Sequence, residues 1–289
     1  MNRIKRNIIG VFICALMLFL PGCNNQIPDD KTDSQPKPNL ANVLTRVEIE
    51  KALSEKGFHP TKVLEDDGTY KRNDITPIIY YYNNTDAIIL YDFSSIAERA
   101  RNVSVIHLGD ALTYDYPLND NYAHWTFAIR NFSLVYRINT EGMPETTFKN
   151  KLNDLNIIKQ VALDLNDGKE ALLYGKSENW EAQAFVQYYQ NWYEDKDGGI
   201  RADQLSEQNV KVRYCGPEDD KTQSIQYEYK YSSGTVRGTF WTISEDKDGW
   251  VSLSKIESSS FIPDSKTVCI LNLVWGNNNE TITMTPKIN

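Results

Sequence analysis

The sequence changes character within Leu155–Lys176, which reads LNIIKQVALDLNDGKEALLYGK. Up to Leu165, apolar residues recur at spacings of three and four, the period of one face of an α-helix. The triplet Asn166-Asp167-Gly168 then interrupts this pattern with residues that commonly end helices. From Lys169 onward, the apolar residues fall into short runs rich in β-branched and aromatic side chains. We therefore predict a long helix, a domain boundary at Gly168 and a β-rich segment after it.

The segment after the boundary contains short apolar runs separated by turns rich in Gly, Asp, Asn and Ser. Strands at such regular intervals favour a β-sandwich over residues 169–289. The predicted strands are Ala171–Tyr174, Trp180–Tyr189, Val210–Cys215, Ile225–Tyr231, Thr235–Ile243, Trp250–Ile256, Thr267–Trp275 and Thr281–Thr285.

The segment before the boundary, residues 43–168, mixes helices with hairpins. Thr45 and Glu48 fit a capping box at the start of a first helix. Two pairs of apolar runs are joined by Asn83-Asn84-Thr85-Asp86 and by Arg130-Asn131, and both connections indicate antiparallel hairpins. The predicted fold class is therefore α+β, with a mixed helix and antiparallel-sheet domain followed by an all-β sandwich.

The first 22 residues are typical of a secretory signal. Basic residues among the first six are followed by the apolar run Ile8–Leu20, which is too short for a membrane span, and then by Gly22-Cys23. This ending resembles the lipobox of bacterial lipoproteins. The resemblance implies that Cys23 becomes the mature N-terminus and carries a diacylglyceryl group. We then expect anchoring to the cell membrane, on its extracytoplasmic face.

Residues 23–42 are predicted to be a disordered tether. The stretch from Asn24 to Asn42 contains three prolines and few apolar residues, so it cannot bury enough surface to offset the entropy of ordering. The formal net charge of the whole chain is −8, and loss of the basic signal makes it more negative. Such a chain is a poor partner for nucleic acid, whose phosphates require a basic patch.

Beyond Cys14 in the signal and Cys23, the chain has two cysteines, Cys215 and Cys269. An extracytoplasmic location permits a disulfide between them. The alternative is two separate buried thiols, because free cysteine is among the most buried residue types. The sequence leaves both open.

Short motifs in the second half also resemble a known group of proteins. Gly175-Lys176-Ser177-Glu178-Asn179-Trp180, Val274-Trp275-Gly276 and Glu280-Thr281-Ile282 are similar to the C-terminal β-domain of uncharacterised lipoproteins from Gram-positive bacteria. The resemblance covers about the last 120 residues. It implies a surface-anchored β-domain and supplies no catalytic residue.

The sequence contains no clear metal, cofactor or nucleophile motif. The histidines are scattered, and aligning Gly198 or Gly249 with the glycine of an EF-hand loop leaves the other ligand positions unmatched. No G-x-S-x-G elbow or glycine-rich phosphate loop is present. We therefore predict no cofactor and no metal.

The most site-like stretch alternates carboxylates with aromatic residues, which together bind sugars or cationic groups. The candidate ligand-binding residues in it are Asp110, Tyr114, Asp115, Tyr116, Tyr122 and Trp125. The alternative is a tyrosine-rich loop packed on a sheet edge.

These observations favour a cell-surface lipoprotein that acts as a non-enzymatic binding or interaction module, with an envelope glycan or protein as partner. The alternative is an envelope glycan or peptidoglycan hydrolase with an unrecognised carboxylate pair. A hydrolase should show two acidic groups of raised pKa in one pocket, whereas a binding module should show an exposed aromatic patch. A third hypothesis is a subunit of a larger envelope complex. The sequence does not distinguish such a subunit from a binding module.

Overall fold

A computed structural model describes residues 38–66, 68–72, 74–82, 86–103, 122–217, 224–241 and 245–287. Residues 38–289 form one compact unit. Cys23, the signal, the tether up to residue 37 and most of the loop with the candidate binding residues lie outside the described residues.

The first half contains a five-stranded antiparallel sheet in the order β1-β2-β3-β5-β4. Both predicted hairpins are confirmed, as β2–β3 and β4–β5. In chain order the elements are α1 (Arg46–Glu55), β1 (Lys62–Glu65), β2 (Ile78–Tyr81), β3 (Ala87–Asp92), α2 (Ile96–Asn102), β4 (Tyr122–Ile129), β5 (Phe132–Asn139) and α3 (Glu145–Leu165).

The second half is an antiparallel sheet of eight strands in the order β10-β9-β12-β13-β6-β7-β8-β11. The strands are β6 (Lys169–Lys176), β7 (Trp180–Glu194), β8 (Ile200–Tyr214), β9 (Ser224–Tyr231), β10 (Gly234–Trp241), β11 (Trp250–Ser258), β12 (Cys269–Trp275) and β13 (Asn278–Pro286). The α+β class and the β-rich second half are therefore confirmed.

This larger sheet curls around a single core. Its two outermost strands, β10 and β11, approach each other, and the Tyr227 hydroxyl on β9 donates a hydrogen bond of 3.1 Å to the Leu253 carbonyl on β11. The core contains a cluster of aromatic rings around Trp180. The predicted sandwich is thus one barrel-like sheet folded on itself, because hydrogen-bonded pairing continues without a break from β10 to β11.

One layer of two helices covers the smaller sheet from one side. Helices α1 and α3 pack on the face that carries Leu134 and Tyr136, and Ile49 and Ile158 from the helices complete that core. This layer is what the helical period before Gly168 predicts, since one apolar face of α3 must lie on the sheet.

Helix α3 ends in a Schellman motif at the predicted triplet. The Gly168 N–H donates to the Leu163 carbonyl (2.8 Å), the Asp167 N–H donates to the Asp164 carbonyl (3.1 Å), and Asp167 takes a left-handed conformation (φ 54°). A Cβ on Gly168 would lie 2.3 Å from the Leu163 Cγ, so only glycine fits there. The chain therefore turns sharply from α3 into β6.

The amide of Asn166 joins three elements at this turn. Its Nδ2 donates to the carbonyls of Ala128 on β4 and Ala162 on α3, both at 2.8 Å. Its Oδ1 accepts from the Arg130 backbone N–H (3.0 Å) and from Asn191 Nδ2 on β7 (2.8 Å). The residue is buried, and the full hydrogen-bonding capacity of its amide is used.

Ion pairs continue this contact between the two halves. Arg99 on α2, 1% exposed, pairs with Asp203 on β8 and also donates to the Arg130 carbonyl at 2.9 Å. Lys159 on α3 pairs with Glu207, also on β8. We call this set of contacts, with Asn166, the polar seam. It makes the two halves pack through charged and amide groups that are largely withdrawn from water.

The polar seam explains where the strand prediction was wrong. Strand β7 continues to Glu194 instead of ending at Tyr189, and β8 begins at Ile200, ten residues before the predicted start at Val210. These added stretches carry the side chains that bind α2 and α3, so they lack an apolar alternation. Each half has its own core, and the division into two domains at Gly168 stays a prediction.

We predict that Asn166→Ala lowers the free energy of unfolding by about 3 kcal/mol, because it leaves several buried donors and acceptors unpaired at ~1–3 kcal/mol each. Asn156→Ala, at an exposed position of the same helix, should change it by less than ~0.5 kcal/mol. Urea unfolding measures both. Equal effects of the two substitutions would contradict a special role for Asn166.

Candidate functional site

The loop predicted as a binding site is only partly described. Its candidates Asp110, Tyr114, Asp115 and Tyr116 lie outside the described residues. Tyr122 and Trp125 lie on β4 and point to opposite faces of the smaller sheet. Trp125 stacks on Tyr136 at 6.0 Å under the helices, whereas the Tyr122 ring lies 4.7 Å from the Arg137 guanidinium on the other face. The structure therefore does not bring these two residues together.

Cys215 and Cys269 are free thiols in the structure, the first exposed and the second buried. Cys269 begins β12 and Trp275 ends it, about 20 Å away at ~3.4 Å per residue. Trp180 packs on both Trp275 (5.6 Å) and Tyr214 (4.9 Å), so Cys215 lies at the Trp275 end. A disulfide needs Cα atoms within ~7 Å of each other, and these two cysteines lie at opposite ends of β12. The structure therefore has two separate thiols instead of a disulfide.

Three short motifs of the second half, Gly175–Trp180, Val274–Gly276 and Glu280–Ile282, come together at one end of the barrel-like sheet. Glu280 on β13 accepts hydrogen bonds from Asn179, from its backbone N at 3.1 Å and its Nδ2 at 2.6 Å, and from the Ser177 hydroxyl. Trp180 and Trp275 pack beside this contact. These residues fix the turn between β6 and β7, which is a structural role.

A shallow groove of about 370 Å³ lies on the outer face of β10, β9 and β12. Its lining side chains come from alternate positions of the strands, because every second residue of a strand faces outward. The register places Thr239, Gln226 and Val274 in one cross-strand row, and Arg237, Glu228 and Asn272 in the next. We call this site the outer groove.

The second row forms a continuous hydrogen-bonded ladder across four strands. Arg237 on β10 pairs with Glu228 on β9, and Asn272 Nδ2 on β12 donates to Glu228 Oε1 at 3.3 Å. The Thr281 hydroxyl on β13 donates to Asn272 Oδ1 at 2.8 Å. Lys230 Nζ lies 2.5 Å from Glu228 Oε1. The ladder holds planar guanidinium, carboxylate and amide groups in a fixed row at the surface.

Apolar side chains are exposed beside the ladder. Trp241, two residues beyond Thr239 on β10 and on the same face, is 52% exposed. Val274 and Ile270 on β12 are 45% and 36% exposed. An exposed tryptophan next to exposed aliphatic groups on a paired strand is unusual for a surface in contact only with water. The outer groove thus combines the polar row with Val274, and Trp241 lies one cross-strand row beyond it on the same face.

The charges of the ladder keep Glu228 ionised. Hydrogen bonds from Lys230 and Arg237 lower the pKa of Glu228 to about 2. The carboxylate therefore stays charged throughout the range from pH 4 to pH 9, and the ladder keeps one arrangement of donors and acceptors over that range.

Two carboxyl groups in the described ranges have a raised pKa, and burial is the largest cause for both, Asp92 and Asp203. Asp203 lines a cleft of about 330 Å³ and pairs there with Arg99, while Asp92 is not part of that cleft. The two do not form the acidic pair that a hydrolase was expected to show. Within the described part of the chain, no group of three His, Cys, Asp or Glu side chains is placed to share a metal ion.

Comparisons with known protein families, with curated proteins and with solved structures find no match for this chain. None of the helices in the described ranges has the length and apolar character needed to cross a membrane.

Sequence analysis missed the outer groove, although a signal for it exists. Strand β12 has apolar residues at inward positions, such as Leu271 and Leu273, and also at outward positions, such as Ile270 and Val274. A strand with one face toward water should alternate apolar and polar residues. The apolar outward positions of β12, together with Trp241, could have indicated a surface that binds something.

We predict that a thiol reagent modifies one cysteine of the native chain spanning residues 24–289, and the second only after unfolding. Cys215 is exposed, whereas burial both shields the Cys269 thiol and raises its pKa. Ellman's reagent measures both phases, and Cys215→Ser should abolish the fast one. No reactive thiol in unfolded protein until reductant is added would contradict the free-thiol arrangement.

Proposed function

We propose that this protein is a lipid-anchored, extracytoplasmic binding module that holds a neutral carbohydrate chain in the outer groove. The observation that carries the proposal is Trp241, half exposed one cross-strand row beyond a groove whose wall is a row of planar polar side chains. An exposed tryptophan on this face supports the hypothesis of a binding module.

The chemistry of the groove fits a sugar better than a purely apolar ligand. A sugar ring presents C–H groups on its faces, which pack on aromatic rings, and hydroxyl groups at its edge, which both donate and accept hydrogen bonds. Trp241 offers the ring, while Gln226, Asn272 and Arg237 offer donors and acceptors at neighbouring strands. The strand spacing of ~4.8 Å repeats these groups across the groove.

The charge pattern favours a neutral ligand. Glu228 is paired with both Arg237 and Lys230, so its negative charge is compensated and the three groups carry a net charge of only +1. A polyanion would need several unpaired cations, and a polycation would need an unpaired carboxylate. Neutral hydroxyl groups can bind to the ladder without breaking it.

The N-terminal sequence supports the location. A lipidated Cys23 followed by a proline-containing tether would hold the folded unit at a distance from the bilayer while leaving the outer groove accessible. The negative net charge also keeps the chain away from an anionic surface.

We predict that the chain spanning residues 24–289 is retarded in native gels that contain a soluble neutral polysaccharide, tested with hydroxyethylcellulose, galactomannan and glycogen. Trp241→Ala should weaken the retardation about tenfold, which corresponds to ~1.4 kcal/mol, because it removes the aromatic platform. Asn272→Ala should weaken it as well, since it interrupts the ladder.

Phe185→Ala provides the matched control. Phe185 is a 40% exposed aromatic residue on the outer face of β7, away from the outer groove. This variant should bind like the unaltered chain. Retardation that is unchanged by Trp241→Ala, or weakened as much by Phe185→Ala, would contradict carbohydrate binding in the outer groove. Absence of binding to these polysaccharides and to purified cell-wall glycan would also contradict it.

We predict that cells expressing the full chain incorporate labelled palmitate into it and retain it in the membrane fraction. Cys23→Ser should abolish the label, because the thiol is the acceptor of the diacylglyceryl group. Cys14→Ser, in the signal segment, should leave labelling unchanged. Label that persists in Cys23→Ser would contradict the anchor.

A further inference from the structure

A second cleft, of about 290 Å³, lies in the first half of the chain, between α1 and the strands β1 and β2. Leu53 forms its apolar floor, and Val63 on β1 stands at its mouth, 52% exposed. We call it the aromatic cleft. It shares no residue with the outer groove, so the inference below does not depend on the carbohydrate proposal.

Aromatic rings form the walls of this cleft. The rings of Phe58 and Tyr82 meet edge to face, with centroids 5.4 Å apart and planes at 84°. Tyr80 adds a third ring from β2. Two ring planes at a right angle make a corner, and the electron-rich face of an aromatic ring attracts a cation.

A carboxylate completes the cleft. Glu50 of α1 accepts a hydrogen bond of 2.6 Å from the Tyr80 hydroxyl at Oε1, and Arg46 Nε lies 3.1 Å from the same oxygen. Among the described residues, no side chain donates a hydrogen bond to Oε2. The Arg46 side chain is 52% exposed, and such an exposed pair contributes little and gives way easily to a ligand.

Glu50 places a negative charge beside both tyrosines, and Arg46 offsets part of its effect at Tyr80. Burial is the main reason why the pKa values of Tyr80 and Tyr82 are raised, and the charge of Glu50 raises both further. Both tyrosines are therefore neutral at ordinary pH, and Glu50 acts on both rings. The cleft thus offers aromatic faces and one carboxylate to the same small volume.

We propose that the aromatic cleft binds an organic cation with apolar substituents, such as a quaternary or alkyl ammonium group. The ring faces would contact the apolar substituents and the charge together, and Glu50 would compensate the charge. A choline headgroup and a lysine side chain both carry this chemistry, and the experiment below distinguishes them.

The test compares choline with its neutral carbon isostere 3,3-dimethyl-1-butanol, by NMR titration of the chain spanning residues 24–289. The two ligands have the same shape and differ in charge. We expect choline to bind at least fivefold more tightly, with shifts at Phe58, Val63 and Tyr82. Equal or tighter binding of the isostere overturns the proposal without need of any variant. A parallel titration with Nα-acetyl-lysinamide shows whether a primary ammonium is accepted, in which case a protein side chain is the natural source.

Variants then locate the charge. Glu50→Gln keeps an acceptor for Tyr80 but removes the carboxylate, so it should weaken choline binding at least fivefold and leave the isostere unchanged. Tyr82→Leu should weaken choline more than the isostere. Glu55→Gln, on the same helix but outside the cleft, is the matched control and should change neither. Choline binding unaffected by Glu50→Gln, or no binding of either cation, overturns the proposal.

Discussion

The buried amide of Asn166 is the contact on which the arrangement of the two sheets depends. It ends α3, fixes the β4–β5 turn through the Arg130 N–H, and reaches Asn191 in the larger sheet. An amide with two donors and two acceptors can satisfy all of these groups at once, which a carboxylate or an alkyl side chain cannot. The ion pair between Arg99 and Asp203 then extends the same seam. Because such groups are costly when unpaired, the halves have one low-energy relative arrangement.

Much of the fold could be predicted from sequence, because local signals agree with the tertiary structure. The capping box at Thr45, the hairpin at Arg130-Asn131 and the end of α3 at Asn166 all appear where propensity and spacing indicate. Prediction failed where side chains serve contacts distant in sequence. The stretch from Ile200 to Asn209 looks polar, yet it is a strand, since Asp203 and Glu207 face cations on α2 and α3. The curling of the larger sheet could not be predicted from the sequence either, because it depends on pairing between strands that are far apart in the chain.

The binding sites were harder to predict than the fold. Sequence reasoning selected aromatic residues adjacent in the chain, and β4 then separates Tyr122 from Trp125 because neighbouring strand positions alternate faces. The outer groove instead collects Gln226, Arg237 and Asn272 from three strands. The aromatic cleft joins Glu50 of α1 to Tyr82, 32 residues later. The outer groove can be recognised only once the pairing of its strands is known, and the aromatic cleft only once the packing of α1 is known. With the polar seam intact, both sites belong to one compact unit.

Native-state hydrogen exchange tests the central claim, that the polar seam makes the two halves one cooperative unit. The most protected amides of each core, such as Leu134 on β5 and Val186 on β7, should exchange through the same opening. We predict equal opening free energies for the two amides, matching the global free energy of unfolding and decreasing in parallel with added denaturant. Opening free energies that differ by more than ~2 kcal/mol, with the smaller sheet exchanging while the larger one stays protected, would contradict it.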